Sequence, residues 1–521
     1  MILKWNGWGY EGEGIKQDKA KKILDVLSGF LGVSEKEYVE PVKLESIKIP
    51  EPRIKIKDNL DVRYDKYERV LHSSGRSYKN LVRLKRGNIK RFPDAVVYPK
   101  SKQDVIDIIE FCSNNGIGCI PFGGGTSVVG SVDTYDIDPE RPVITVDMKS
   151  MSDVIEADVK SKTAKVMAGI TGPNLEEKLR KFGLASRHYP QSFYFSTLGG
   201  WIASRSAGHF SSRYGKIEDM IESLEAITPK GIVRNHGFPS TACGPDIPRI
   251  FTGSEGIFGI ITEAVIRCHK IPEKKISTSF LFPSFERAAE CARNIVQNGV
   301  FPPLIRILDE REYMISSVLS GNTIESGSLL IVGFEADEEN QKVVESEFEF
   351  VRRVCQKFGG TDEGKKRFED WKKEYFEQPY LRDLLMDFCI IVDTLETATS
   401  WSNLINLYKK VKEGMESVIF SESIGGVSCR ITHVYESGAS LYFTFFAKAK
   451  FGYEEEFWWK IKKKASDTIS ENGGTISHHH GVGRDHKIWA RKELKDSLIV
   501  IKAIKNNLDP KNIMNPENLI D

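Results

Sequence analysis

Residues 121–130 read PFGGGTSVVG, three glycines placed directly after an apolar stretch of strand character. Glycines so placed present several backbone N–H groups to one concave spot, a nest for phosphate oxygens, and Thr126 and Ser127 add hydroxyl donors. The spacing is neither that of a Walker A loop nor that of a Rossmann turn. Taken alone, the stretch also suits a glycine-rich turn with no ligand. Two further segments share its character, FSTLGGWIASRSAGHFSSRYGKIEDMI at 195–221 and GPDIPRIFTGSEGIFGIITEA at 244–264. Three such segments, each beside a strand, predict one elongated ligand lying across several loops, and a dinucleotide such as FAD has the length for it. A fourth pattern, GWGYEG at Gly7–Gly12, matches G-x-G-x-x-G formally. Only six residues precede it and two aromatic side chains crowd the turn, so it is rejected as a nucleotide fingerprint.

Bulk properties narrow the class. The 521 residues, 40% hydrophobic, suffice for a large buried core and two to four domains. Lys+Arg total 74 against 73 Asp+Glu, without the basic excess of a general nucleic-acid binder. The local basic stretch RLKRGNIKR, Arg83–Arg91, reads as a solvated charged loop. Eight cysteines, at 112, 119, 243, 268, 291, 355, 389 and 429, form no C-x-x-C pair and predict buried thiols in a reduced, cytoplasmic protein. No signal peptide is visible, the apolar runs fall short of the ~20 residues that span a bilayer, and the terminal NLID is not a peroxisomal tripeptide. A soluble protein is expected, with room for peripheral membrane contact, and a homodimer is the default.

Along the chain, residues 16–31 have the period of an amphipathic helix and 40–60 read as an extended connector. KQDVIDIIEFC places Val105, Ile108, Ile109 and Cys112 on one helical face, and SLEAITPKGIV is a strand–turn–strand. The pattern is α+β, with segments 1–90, 91–273, 274–466 and 467–521 as the expected units.

PDAVVYPKS, PFGGGTSV, TLGGWIASRSAG and TGSEGIFGIITEA, in this order, resemble the FAD-binding domain of the vanillyl-alcohol-oxidase (p-cresol methylhydroxylase) flavoproteins. KWNGWGYEG, ITGPNLEEKL, PLIRILD, PYLRD, YESGASLYFTF and SHHHGVG narrow the resemblance to the alkyldihydroxyacetonephosphate synthases, from Trp5 to Leu519. The resemblance implies a two-subdomain FAD-binding domain, an α+β cap for substrate, and a helical N-terminal segment. It implies FAD held on Pro121, Gly123, Gly124, Gly125, Thr126 and Ser127. Further contacts would come from Ser196, Thr197, Gly199, Gly200, Glu255, Gly256, Ile260 and Ile261. Some relatives attach the flavin through a histidine in the first loop; Thr126 stands there in this chain, which implies non-covalent FAD.

The family's reaction replaces the acyl group of acyl-dihydroxyacetone phosphate with the alkoxy group of a fatty alcohol, with no net redox change. Tyr442 matches the family's proton-transfer tyrosine and would need neighbouring positive charge to lower its ordinary pKa of ~10. Arg306 and Arg382 match its essential arginines, suited to bidentate oxyanion binding. Each has a plainer reading: Arg306 facing solvent from a strand, Arg382 paired with Asp383 on a helix face, Tyr442 packed in the core of LYFTFF. Between Met314 and Leu329 the chain is shorter than in animal synthases, which bears on substrate length. The alternative function is an FAD dehydrogenase or oxidase of a D-2-hydroxy acid or polyol phosphate on the same fold. A catalytically silent scaffold is disfavoured by the intact Tyr442, Arg306, Arg382 and histidines.

Those histidines stand in SHHHGVG, Ser477–Gly483. A cloning tag does not fit a run followed by more amphipathic sequence, and no cysteine or carboxylate stands at metal-ligand spacing nearby, so no metal is expected. In an extended strand His478 and His480 share a face while His479 points away. With Gly481 and Gly483 closing a turn, the run suits one wall of a flavin site, binding phosphate or moving protons near neutral pH.

Overall fold

The computed structural model describes residues 2–56, 59–323, 325–374 and 377–520. A four-stranded sheet is ordered Val62–Arg63, Ala95–Val97, Val143–Asp147, Gly118–Phe122, its last three strands parallel. A five-stranded antiparallel sheet is ordered Val154–Asp158, Thr163–Met167, Ile260–Arg267, Ile221–Thr228, Gly231–Arg234. The third large sheet has seven antiparallel strands, ordered Thr361–Gly364, Lys274–Phe282, Ser328–Ala336, Leu304–Leu308, Gly425–Val434, Gly438–Lys448, Ile390–Ser400.

Local sequence accounts for much of this. Helix Lys102–Asn115 starts at a capping box of Ser101 and Asp104 and buries Val105, Ile108, Ile109 and Cys112, the face its period predicts. Helix Gln17–Leu31 falls where residues 16–31 predict it. Ile221–Thr228 and Gly231–Arg234 pair across the turn between them.

The seven-stranded sheet has two unlike faces. Ile305, Ile307, Cys429, Ile431, Leu441, Phe443 and Phe445 point to one side, into the core beneath helices Phe285–Gln297 and Leu404–Glu422. Each large apolar side chain buried there contributes about 1.5–3 kcal/mol. The intervening residues Arg306, Ser428, Arg430, Tyr442 and Thr444 point to the other side, where they line a cavity. Tyr442 is therefore not core packing, although its two phenylalanine neighbours in the odd register are.

One expectation is corrected here. The basic stretch is not a solvated loop: Arg83, Lys85 and Arg86 lie in helix Tyr78–Arg86 and pair with Glu455, Asp387 and Glu454. Helix Tyr78–Arg86 is thereby joined to residues some three hundred or more positions later through charge pairs that local sequence does not reveal. GWGYEG, rejected as a nucleotide loop, has a structural use. The Trp8 N–H donates to Asp383 Oδ2 at 2.5 Å, and Arg76 donates to the carbonyls of Gly7 and Lys4.

All eight cysteines are free; Cys243 is exposed and the rest are buried. Among the described residues no helix is long and apolar enough to cross a membrane. The chain end returns to the first sheet, where the Cys119 N–H donates to the Ile513 carbonyl and the Asn515 N–H to the Cys119 carbonyl. Arg484, donating to the carbonyls of Gly130 and Pro516, then holds the segment after the histidines against the glycine loop.

Candidate active site

A cavity of about 860 Å³ lies between the glycine loops and the polar face of the seven-stranded sheet. Its first wall contains all fourteen residues that the resemblance assigned to the cofactor, from Pro121 and Gly123–Ser127 through Ser196, Thr197, Gly199 and Gly200 to Glu255, Gly256, Ile260 and Ile261. The loops meet backbone to backbone. A Cβ on Gly124 would stand 1.9 Å from the Phe195 carbonyl oxygen, and one on Gly123 2.2 Å from Thr197 Oγ1. Thr197 in turn caps helix Leu198–Ser204 by accepting the Gly200 N–H. Backbone amides, small hydroxyls and a long cleft fit a flavin dinucleotide. Loop residues 121–131 contain no histidine, and Thr126 lines the cavity at the position the resemblance assigns to one.

Glu255 lines this wall, but its carboxylate serves the chain itself. It accepts the N–H groups of Val482 and Gly483 and the Asn518 amide, at 2.5, 2.8 and 3.1 Å.

The second wall is a row across the sheet. Glu396 on Ile390–Ser400 is directly opposite Tyr442 on Gly438–Lys448, which is opposite Arg430 on Gly425–Val434, which is opposite Leu308. Arg430 lies 4.2 Å over the Tyr442 ring and pairs with Glu312. The Tyr442 hydroxyl donates to Thr394 Oγ1 at 3.0 Å. Positive charge does stand beside Tyr442, as its proposed chemistry requires. Burial nevertheless dominates and pushes the phenol above its ordinary range, with Arg430 opposing. The phenol is thus protonated near neutral pH.

Arg306 is buried, not solvent-facing, with its guanidinium 5.1 Å over Trp371. Arg382 does not pair with Asp383; it donates to the Arg76 carbonyl at 3.0 Å and stands 3.9 Å from Asp393. Both arginines line the cavity.

The histidine run is not a strand, and its side chains do not alternate. The backbone bends around Glu396, which accepts the N–H groups of His478, His479 and His480. His479 and His480 line the cavity, the first stacked on Tyr442 with centroids 6.1 Å apart and the second edge-on at 5.5 Å. His478 lies behind them, joined to Tyr435 by Nε2 at 2.5 Å and to His479 by an Nδ1···Nδ1 contact of 2.9 Å. The expectation that His479 points away fails because three consecutive amides turn to one anion, which extended geometry forbids.

His433 joins this cluster through a β-bulge. Ile431 opposes Leu441 and Val434 opposes Ala439, so the extra residue re-aims His433 into the cavity. Its Nε2 donates to the Gly208 carbonyl at 3.0 Å. His433, His478 and His479 bring ring nitrogens within 4.8 Å of one another, a spacing that would also admit a metal. Their nitrogens already hydrogen-bond to Gly208, Thr432, Tyr435 and each other. Burial pushes all four imidazoles of the cluster below their usual range, His433 to about 4. Glu396, pushed up by burial, is pulled down more strongly by the imidazoles and by the amides of His479 and His480, to about 2. Glu396, Arg430, Glu312 and His433 escaped the sequence reading; alternation along SCRI, residues 428–431, was the one available signal, and only for Arg430.

Beyond this polar region the cavity extends into an apolar arm. Ile23 and Phe30 of Gln17–Leu31, Met314 and Leu319 of Glu310–Ser320, Leu385 and Phe446 line it.

Residues 93–237 match the family described as FAD binding domain, and residues 271–519 match FAD linked oxidases, C-terminal domain. The alkyldihydroxyacetonephosphate synthase of Trypanosoma brucei brucei is 33% identical over 569 residues, spanning 99% of this chain and 92% of that protein. A solved alkyldihydroxyacetonephosphate synthase structure superposes with a TM-score of 0.84 at 28% identity, covering 99% of this chain and 98% of that one. Substrate-bound p-cresol methylhydroxylase, 13% identical with a TM-score of 0.67 and 98% of each chain covered, shares the fold.

Proposed function

Because the chain belongs to the alkyldihydroxyacetonephosphate synthase family of FAD-linked flavoproteins, we propose that it forms ether-lipid precursors. It exchanges the acyl group of acyl-dihydroxyacetone phosphate for the alkoxy group of a long-chain alcohol. The observation that carries this reading is the continuity of one cavity, from glycine wall through arginines and histidines to an apolar arm. A small hydroxy acid needs no such arm, which disfavours the dehydrogenase alternative.

FAD is held non-covalently by the fourteen residues of the first wall, and when bound supplies an electrophilic centre and electron sink. Residues 91–273 form the unit that holds it, and 274–466, together with helix Gln17–Leu31, receive the substrate's tail. Arg306 and Arg382 bind the phosphate and carboxylate oxygens, their planar forks matching oxyanion geometry. The Tyr442 phenol and the neutral His479 and His480 rings beside it exchange the proton of the reacting carbon. His478 acts from behind, orienting His479 through their shared Nδ1 contact.

Phe30 and Met314 line the arm yet are 54% and 39% exposed. This mouth suits peripheral contact with a membrane, from which a long-chain alcohol enters, by a protein resident in the cytoplasm. A homodimer, the commonest oligomer, is tested by light scattering.

The deciding assay incubates the purified protein with palmitoyl-dihydroxyacetone phosphate and hexadecanol. Alkyl product and free palmitate are expected. Absence of exchange, together with bleaching of the flavin by D-lactate or glycerol phosphate, would overturn the reading.

A further inference from the structure

Glu396 sits in no recognisable motif, within DTLETATS, yet it organises the centre of the site. Its Oε1 accepts the N–H groups of His479 and His480, at 3.0 and 2.9 Å, and the Ser477 hydroxyl at 3.0 Å. Its Oε2 accepts the His478 N–H at 2.6 Å. Three successive amides on one anion are the geometry of a nest, here closed on a carboxylate of the protein itself. The Nδ1 atoms of His478, His479 and His480 stand 3.9, 3.6 and 3.8 Å from that carboxylate. The other ionisable groups that face the run are cationic Lys216, Arg306, Arg430 and Lys462, the neutral His433, the phenols of Tyr435 and Tyr442, and Asp393. Among so many cations an imidazole gains a proton only against an adjacent negative charge, and Glu396 is in contact with all three rings.

We propose that Glu396 is the positioning residue of the histidine run. Its carboxylate gathers three amides so that His479 and His480 face the cavity, and its charge balances the proton that an imidazole takes up and returns during turnover. That proton comes from the substrate site and goes back to it, so no co-reactant is consumed. The inference rests on the histidines belonging to the reaction site, as proposed above.

The test compares Glu396→Gln, Glu396→Asp and Glu396→Ala with His479→Ala in the acyl–alkyl exchange assay from acidic to neutral pH. Flavin absorbance and Tm report whether each variant is assembled. Gln matches Glu in length and keeps the oxygen that takes the Ser477, His479 and His480 donors, losing only the His478 N–H bond, so a purely structural role predicts that Gln outperforms the shorter Asp. The proposal predicts the reverse order. It also predicts a kcat for Glu396→Gln lowered about tenfold or more, with the imidazolium limb of its pH profile moved to lower pH. The shift is about one unit or more, because an opposite charge within ~4–6 Å raises a cation's pKa by about 1–3 units. A Glu396→Gln enzyme with the wild-type profile, or one more active than Glu396→Asp, overturns it. Should Glu396→Gln lose FAD, Asp exceeding Ala by about tenfold supports the proposal and equality overturns it. Full exchange by His479→Ala sinks the reading of the histidines itself, whereas its inactivity beside a normal Glu396→Gln sinks this inference alone.

Discussion

The two walls of the cavity are built on opposite principles. On the glycine wall the loops approach so closely that added side chains have no room, and the surface offered is backbone amide and small hydroxyl. On the sheet wall, long charged side chains are buried and each is restrained by a partner: Arg430 by Glu312, Arg382 by Asp393 and the Arg76 carbonyl, the histidine run by Glu396. The first wall is shaped by sterics and suits a large ligand that stays. The second is shaped by electrostatics and suits charges and protons that come and go. Damage to the first should release cofactor; damage to the second should stop turnover with cofactor in place.

The largest expected effect is on turnover. Tyr442→Phe removes the phenol next to His479 and His480 and should lower exchange by about 10²–10⁴-fold, the usual worth of a positioned acid or base. Flavin absorbance should stay at the wild-type level; loss of FAD instead would break the contrast between the walls. Gly124→Ala comes next. With its Cβ 1.9 Å from the Phe195 oxygen, backbone has to move, at a cost of about 3 kcal/mol and with loss of FAD. Denaturant titration and the flavin spectrum check both parts, and a fully flavinated, wild-type-stable variant refutes the steric account of this wall.

Arg430→Met leaves Glu312 partly buried without its partner, for about 2 kcal/mol of stability. The double variant with Glu312→Met should regain most of that stability yet remain slow, since the guanidinium over Tyr442 is still absent. Recovery of both would mean that the pair is structural. The smallest effect is on pH dependence. Burial pushes His433 to about 4 from its ordinary 6.5, so the unfolded chain takes up a proton that the folded one refuses. Its neutral form favours the fold fully above 6.5, and that contribution is lost as pH falls toward 4. His433→Gln should flatten the fall in stability over this window by up to about 1.4 kcal/mol per pH unit. An unchanged slope would place the proton elsewhere, for instance on His188 or His486, which burial holds at about 3 and 4.

The glycine wall was legible because its chemistry is local. A run such as GGGTS states its own backbone freedom, and the residues that line the wall are those that the motifs contain. Helix Lys102–Asn115 was equally readable, since its capping box and buried face lie within one window. Apart from the histidine run, the sheet wall was readable only where a family resemblance pointed, at Tyr442, Arg306 and Arg382. Arg83–Arg91 looked solvated because the partners Glu455, Asp387 and Glu454 are some three hundred residues or more away.

By itself, then, the sequence determined the α+β class, the glycine loops with their dinucleotide-sized demand, and the presence of a histidine cluster. Tertiary structure alone decided which way those histidines face. Three amides turn to Glu396 from a strand eighty residues earlier, and a bulge adds His433. A glycine's freedom belongs to its own backbone, whereas a buried charge is defined by the partner that the fold brings to it.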